Sequence, residues 1–178
     1  MNERASRPAR ILPKRPLRGR YFITDGALGA AELILPTFRG PGGDHEGIAF
    51  LAGTEFEGHT LFSAAVAPEA DHGPGHVRCS HKQVLAAARA ARTAGLAILA
   101  QIHSHPGPGS YHSEGDDRMV LMPFEGMLSV VAPHYARYGL RPLDSLGVHQ
   151  FQDGRWVVCI RETVRSGFRI IPARIDLR

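Results

Sequence analysis

Cysteine is scarce in this chain: Cys79 and Cys159 are the only two among 178 residues, far apart and in no CxxC setting. That excludes a disulfide framework and leaves reduced thiols as the expectation. Long apolar runs are missing too. Nothing approaches the roughly 18 consecutive apolar residues of a membrane helix, and the N-terminus lacks the basic-then-apolar layout of a secretory signal. The expectation is a cytoplasmic protein with no membrane partner. There is no repeat at a solenoid period and no long low-complexity tract. With 43% hydrophobic residues, 178 residues suffice for one good core and are short for two.

The net charge is +4, but its distribution removes the hint of nucleic-acid binding. Residues 1–20 carry Arg4, Arg7, Arg10, Lys14, Arg15, Arg18 and Arg20 against Glu3 alone, a balance of +6, so the remaining chain stands at −2. The basicity belongs to a Pro-containing arm, which reads as a solvated tail. The division expected is an arm over 1–20, a domain over 21–160 and an extension over 161–178.

What the chain does have is an alternation of α and β patterns. Tyr21-Phe22-Ile23 reads as a short strand, and Thr24 or Asp25 caps a helix carrying Leu28, Ala31, Leu33, Ile34 and Leu35 that finishes by Pro36. A glycine-rich turn follows at 40–43. Ile48 to Ala52 fits a strand buried on both faces, and Thr60 to Ala67 a second one. The Pro/Gly/Asp-rich stretch from Pro68 to Gly75 reads as a loop, which leaves His72, His76 and His81 without an ordered element. Ser80 caps a helix through Val84, Leu85, Ala88, Ala91 and Arg92 that Gly95 ends. Leu96 to Ile102 reads as a central strand, Ser113 to Leu121 as a helix and Met127 to Ala132 as a strand. Ser145–Phe151 and Arg155–Ile160 form a hairpin around Asp153-Gly154. The whole is an α/β mixed sheet with helices on its faces.

At the exit of the central strand stand His103 and His105. Residues i and i+2 of an extended strand share a face, so both imidazoles can converge on one cation. Asp116 supplies a carboxylate, returned by a loop that Pro106, Gly107, Pro108 and Gly109 make sharp. Two imidazoles and one carboxylate leave a fourth tetrahedral position open, the arrangement of a catalytic zinc, and such a zinc brings the pKa of a water towards about 7. Ser113 and Asp116 also have a structural reading, since Ser-x-x-Asp approximates a helix capping box. Both readings hold together if the helix start aims the two residues at the strand exit.

The string His103-Ser104-His105-Pro106, six residues, Ser113, two residues and Asp116 resembles the hallmark of the JAMM or MPN+ (JAB) metalloproteases. Glu46 and Gly53 match the family's upstream pattern, and Ala49 departs from it where the first glycine is usual. The resemblance covers about Tyr21 to Ile160. It implies a cytidine-deaminase-like α/β fold, Zn²⁺ held by His103, His105 and Asp116, Glu46 as general base and then proton donor to the leaving amine, and Ser113 as oxyanion donor. Glu55 and Glu57 are the fallback bases. His45 and His112 are placed around the site by their nearness in sequence, and His59, His134 and His149 read as ordinary polar positions.

The resemblance further implies a bacterial-type isopeptidase, akin to deubiquitinases, that deconjugates or trims a ubiquitin-like modifier. The short segment from Pro133 to Pro142 has little room for a long insertion, which favours recognition of an extended C-terminal glycine tail along a strand edge. E1-like and E2-like enzymes are the partners expected by analogy. Two alternatives stand beside this: a zinc-containing binding module without significant turnover, and a hydrolase of small peptides or sulfur-carrier adducts.

Overall fold

A computed structural model describes residues 11–119 and 123–173 of the chain. Its centre is a nine-stranded mixed sheet in the order β1-β12-β11-β10-β9-β5-β6-β2-β13. The strands are β1 (Lys14–Arg15), β2 (Arg20–Thr24), β5 (Ile48–Phe56), β6 (His59–Val66), β9 (Ala97–Ser104), β10 (Leu128–Ala132), β11 (Gly147–Gln152), β12 (Arg155–Cys159) and β13 (Phe168–Ile171). Two small hairpins stand outside the sheet: β3 (Arg39–Gly40) with β4 (Gly43–Asp44), and β7 (Asp71–Gly73) with β8 (His76–Arg78). The helices are α1 (Asp25–Ile34), α2 (His81–Thr93), α3 (Glu114–Met119) and α4 (Arg161–Gly167).

The apolar run at the start of β5 is buried on both faces, as its lack of alternation predicts. Ala49 and Leu51 share a core with Leu28, Ala31 and Leu35 of the α1 segment. Ile48 and Phe50 turn the other way, into a cluster with Val77 and with Ala87 of α2. The two helices therefore cover opposite faces. Local chemistry sets their limits. The Thr24 hydroxyl accepts from the Ala27 N–H at the start of α1. Ser80 and Gln83 form a reciprocal capping box on α2, and Gly95, at φ +75°, closes that helix.

Several expectations are corrected. The arm is not wholly a tail: Leu12 is buried against Met127 and Trp156, and β1 pairs in parallel with β12. Arg4, Arg7 and Arg10 lie outside the described residues. Beyond Ile160, α4 and β13 follow, and β13 pairs in parallel with β2, so the sheet reaches past 21–160 at both ends. The 68–75 stretch is not a bare loop, because it holds β7 and leads into β8. His72 lies on β7, His76 on β8, and His81 opens α2. Leu33 and Leu85, assigned to apolar helix faces, are exposed. The helix expected to reach Leu121 is described only to Met119. Among the described residues, no helix is long and apolar enough to cross a membrane.

Candidate metal centre

β9 lies between β5 and β10, and its last residues deliver the two histidines. His103 is opposite Ile48 of β5 and Val131 of β10. His105 follows the strand end and is fixed through both backbone groups: its N–H donates to the Ala132 carbonyl (2.8 Å), and its carbonyl accepts from the Tyr135 N–H (2.7 Å). Asp116 comes from α3. Its Oδ1 lies 3.3 Å from His103 Nε2 and its Oδ2 3.3 Å from His105 Nε2. One potential ligand atom from each residue falls within 4.8 Å of the others, and all three residues are buried.

This donor set suits a metal ion. His103 is fully buried, and beyond the 3.3 Å approach of its Nε2 to Asp116 neither ring nitrogen has a hydrogen-bond partner. A buried imidazole left this way is costly unless something else takes its lone pair. Burial opposes ionisation of Asp116, but the His103 and His105 imidazoles outweigh it and hold the carboxyl well below the usual carboxylate range. Burial likewise disfavours the charged form of His105. The Asp116 carboxylate, assisted by the charge of Glu46, outweighs it and raises the His105 pKa. The pocket thus concentrates negative potential where a cation would stand.

Ser113 and Asp116 form the expected cap. The Ser113 N–H donates to Asp116 Oδ2 (2.6 Å), and the Asp116 N–H donates to Ser113 Oγ (3.2 Å). The Ser113 hydroxyl proton is not used by that cap.

Glu46 is buried and held from two sides. Its N–H donates to the Gly73 carbonyl of β7 (2.9 Å). Next to it, the Gly47 N–H donates to Ser104 Oγ and the Ser104 N–H donates back to the Gly47 carbonyl, each at 2.9 Å. Ser104, between the two histidines, thereby clips the Glu46 segment to the strand that carries them. Glu55 and Glu57 are excluded as bases. Glu55 lies near the far end of β5, about 23 Å along the strand from Ile48 at ordinary strand rise, Glu57 lies in the turn just beyond it, and both line a cleft with Arg18 and Glu125.

The other histidines follow expectation in part. His112 is fully buried and adjoins His103, with ring centroids 5.9 Å apart. His45 instead shares a 2.9 Å Nδ1···Nδ1 hydrogen bond with His72. His149, read as an ordinary polar position, is fully buried and stacks on His112. A lone histidine in a strand gives no signal of that; only the polar residues flanking it in an otherwise apolar sheet hint at an internal polar layer. His59 is ordinary, stacked near Phe22 and Phe56. Burial pushes the thiols up to about 11 for Cys79 and about 12 for Cys159, which suits neither for nucleophilic attack.

A cleft of about 720 Å³ opens between the α1 segment and the 135–139 stretch. Phe38 and His45 line one side and Tyr135 and Arg137 the other. Its Tyr135 wall is a run of three non-glycine residues in the left-handed region, His134, Tyr135 and Ala136, with φ of 54°, 56° and 58°. Such backbone costs on the order of 1–2 kcal/mol per residue. Contacts on both sides hold it: the Tyr135 N–H bonds His105, and the Tyr135 hydroxyl donates to the Pro74 carbonyl (2.8 Å).

The chain is similar to known proteins in sequence and in fold. Residues 42–143 match the family described as prokaryotic homologs of the JAB domain. A Sinorhizobium fredii (strain NBRC 101917 / NGR234) protein named probable metalloprotease y4jG is 36% identical over a 101-residue alignment, which covers 52% of this chain and 59% of that protein. The chain thus spans about three fifths of that relative's length. Two solution structures share the fold at low identity. A Desulfitobacterium hafniense protein matches with a TM-score of 0.59 and 15% identity, over 89% of this chain and 95% of that one. A Salinibacter ruber protein matches with a TM-score of 0.51 and 17% identity, over 78% and 90%. With the family match covering more than half of its length and running through Glu46, His103, His105, Ser113 and Asp116, the chain belongs to the prokaryotic JAB-domain family.

Proposed function

We propose that the chain is a zinc-dependent peptidase or isopeptidase that cleaves after the C-terminal glycine of a ubiquitin-like modifier. The observation that carries the hydrolytic part is the buried convergence of His103, His105 and Asp116, in which neither His103 ring nitrogen has a hydrogen-bond partner. Zinc held there supplies Lewis acidity, lowering the pKa of a water and polarising the scissile carbonyl. Glu46 takes a proton from the attacking water as the new C–O bond forms, then returns it to the amine nitrogen as the C–N bond breaks. The Ser113 hydroxyl donates to the carbonyl oxygen as negative charge develops on it. Ser104 and Gly73 keep Glu46 at its post, which restricts the proton transfer to one geometry.

The modifier is the finer part of the proposal. Glycine at the cleaved end suits a buried centre, and an extended tail suits recognition along a strand edge, where main-chain hydrogen bonds supply affinity. E1-like and E2-like enzymes are the companions this reading implies. The test is cleavage of a ubiquitin-like protein fused through its terminal glycine, compared with a short peptide carrying the same last residues. The reading expects cleavage of the fusion that chelation abolishes, added Zn²⁺ restores and Glu46→Gln lacks. Activity that survives both chelation and Glu46→Gln contradicts the hydrolytic mechanism. Equal cleavage of the short peptide contradicts recognition of a folded modifier.

A further inference from the structure

Behind the three ligand residues, the sheet carries a polar layer that the proposed chemistry leaves unused. Ser129 of β10 is paired with Gln101 of β9 on one side and with His149 of β11 on the other, and all three are buried. His112 descends onto this row from the loop before α3. Gln101 Nε2 donates to Ser129 Oγ (3.0 Å), which leaves the Ser129 hydroxyl proton to bond His112 Nε2 (2.8 Å). His112 Nδ1 then donates to Asp117 Oδ1 (2.9 Å). The donor order fixes one neutral tautomer of His112.

The order Ser129-His112-Asp117 matches that of serine hydrolases, but the setting differs. Ser129 is fully buried within a central strand and its oxygen is already occupied by Gln101, so no substrate carbonyl reaches it. The chain of bonds has a different consequence. Asp116 and Asp117 both lie in the first turn of α3, so whatever ties that turn to the sheet also places Asp116. The cap at its start uses Asp116 itself, whereas the bonds from Asp117 through His112 to the sheet involve no ligand residue. His112 is also wedged between rings, with centroids 4.5 Å from His149, 4.9 Å from Trp156 and 5.9 Å from His103.

We propose that His112 is a positioning residue of the metal centre: by tying Asp117 to Ser129 it fixes the first turn of α3, and so sets Asp116 over His103 and His105. This rests on the reading of those three residues as metal ligands. It assigns His112, Asp117 and Ser129 a joint role in metal affinity and coordination geometry, with no contact to substrate.

The test measures zinc affinity by competition with a chromophoric chelator, and the visible absorption of the cobalt-loaded protein, on the full chain. Asp117→Ala is expected to weaken zinc binding about 10- to 100-fold and to alter the cobalt bands. Asp117→Asn, whose amide oxygen still accepts from His112 Nδ1, recovers most of the loss. Ser129→Ala, which cuts the other end of the chain, weakens binding in the same direction. Parental affinity and spectrum in Asp117→Ala overturn the proposal, as does an Asp117→Asn variant no better than Asp117→Ala, since charge alone would then be responsible. If Asp117→Ala does not fold without metal, parental zinc affinity in Ser129→Ala overturns it. A parent chain that takes up no zinc overturns the metal-site reading itself, whereas zinc uptake unchanged by these variants overturns only the role of His112.

Discussion

In the proposed mechanism Glu46 and the three candidate ligands have separate tasks, so each can be removed separately. Glu46→Gln keeps the size and the buried place of the side chain but cannot take up a proton. Hydrolysis is expected to fall by about 10²- to 10⁴-fold with zinc affinity unchanged, checked by steady-state assay beside a chelator titration. His149 makes a prediction of another kind. Burial, with the charge of His103 next, lowers its pKa to about 4, well below the ordinary imidazole value of about 6.5. The unfolded chain therefore binds a proton that the folded chain refuses, so the stability is present above about pH 6.5 and is lost as pH falls towards 4. Between pH 7 and pH 5 the metal-free chain should lose about 2 kcal/mol from this residue, and urea unfolding of the parent and of His149→Leu should show a flatter slope in the variant. At this scale the ligands were legible in sequence because strand alternation and a sharp loop bring them together. His149 and Ser129 were not, since their burial depends on which strands lie beside theirs.

β5 shows how an element reads both ways. Its apolar start announces burial on both faces, and its register slips between Ala52 and Gly53 against β6. At that slip a Cβ on residue 53 would meet the Leu61 carbonyl, which gives a physical reason for the glycine of the upstream pattern. Ala49, where that pattern has its other glycine, is fully buried and accommodated. Gly53→Ala should therefore cost at least about 2 kcal/mol through forced backbone movement, read from the denaturant midpoint. Ser80→Ala should cost about 1 kcal/mol by removing the capping box from α2. Caps and glycine stops were legible because they are local chemistry. The β7–β8 hairpin was not, because its turn-forming composition is shared with plain loops, and its order comes from contacts such as the Glu46 N–H to the Gly73 carbonyl. Leu85 satisfies a helical period yet faces solvent, since α2 turns Ala87 and Ala91 to the sheet.

The whole molecule is a sheet closed at both ends by segments that looked peripheral. β13 brings Phe168 against Tyr21 and Phe62, and α4 buries Val164 in the same core. Their side chains are worth about 1.5–3 kcal/mol each, a large part of a typical domain's 5–15 kcal/mol. A chain ending at residue 160 should accordingly lose its cooperative unfolding transition, checked by thermal melts followed by circular dichroism. Order across long sequence separation is what a periodic reading could not supply, since parallel pairing of β13 with β2 joins residues nearly 150 apart. The molecule's plan places the middle strands β5, β9 and β10 beneath one buried cluster, and the functional reading stands or falls there. The most direct measurement is zinc stoichiometry, by elemental analysis after equilibrium dialysis, of the parent chain beside His103→Ala and Asp116→Ala. One zinc per parent chain and none in either folded variant is the result predicted; equal zinc in parent and variants contradicts it.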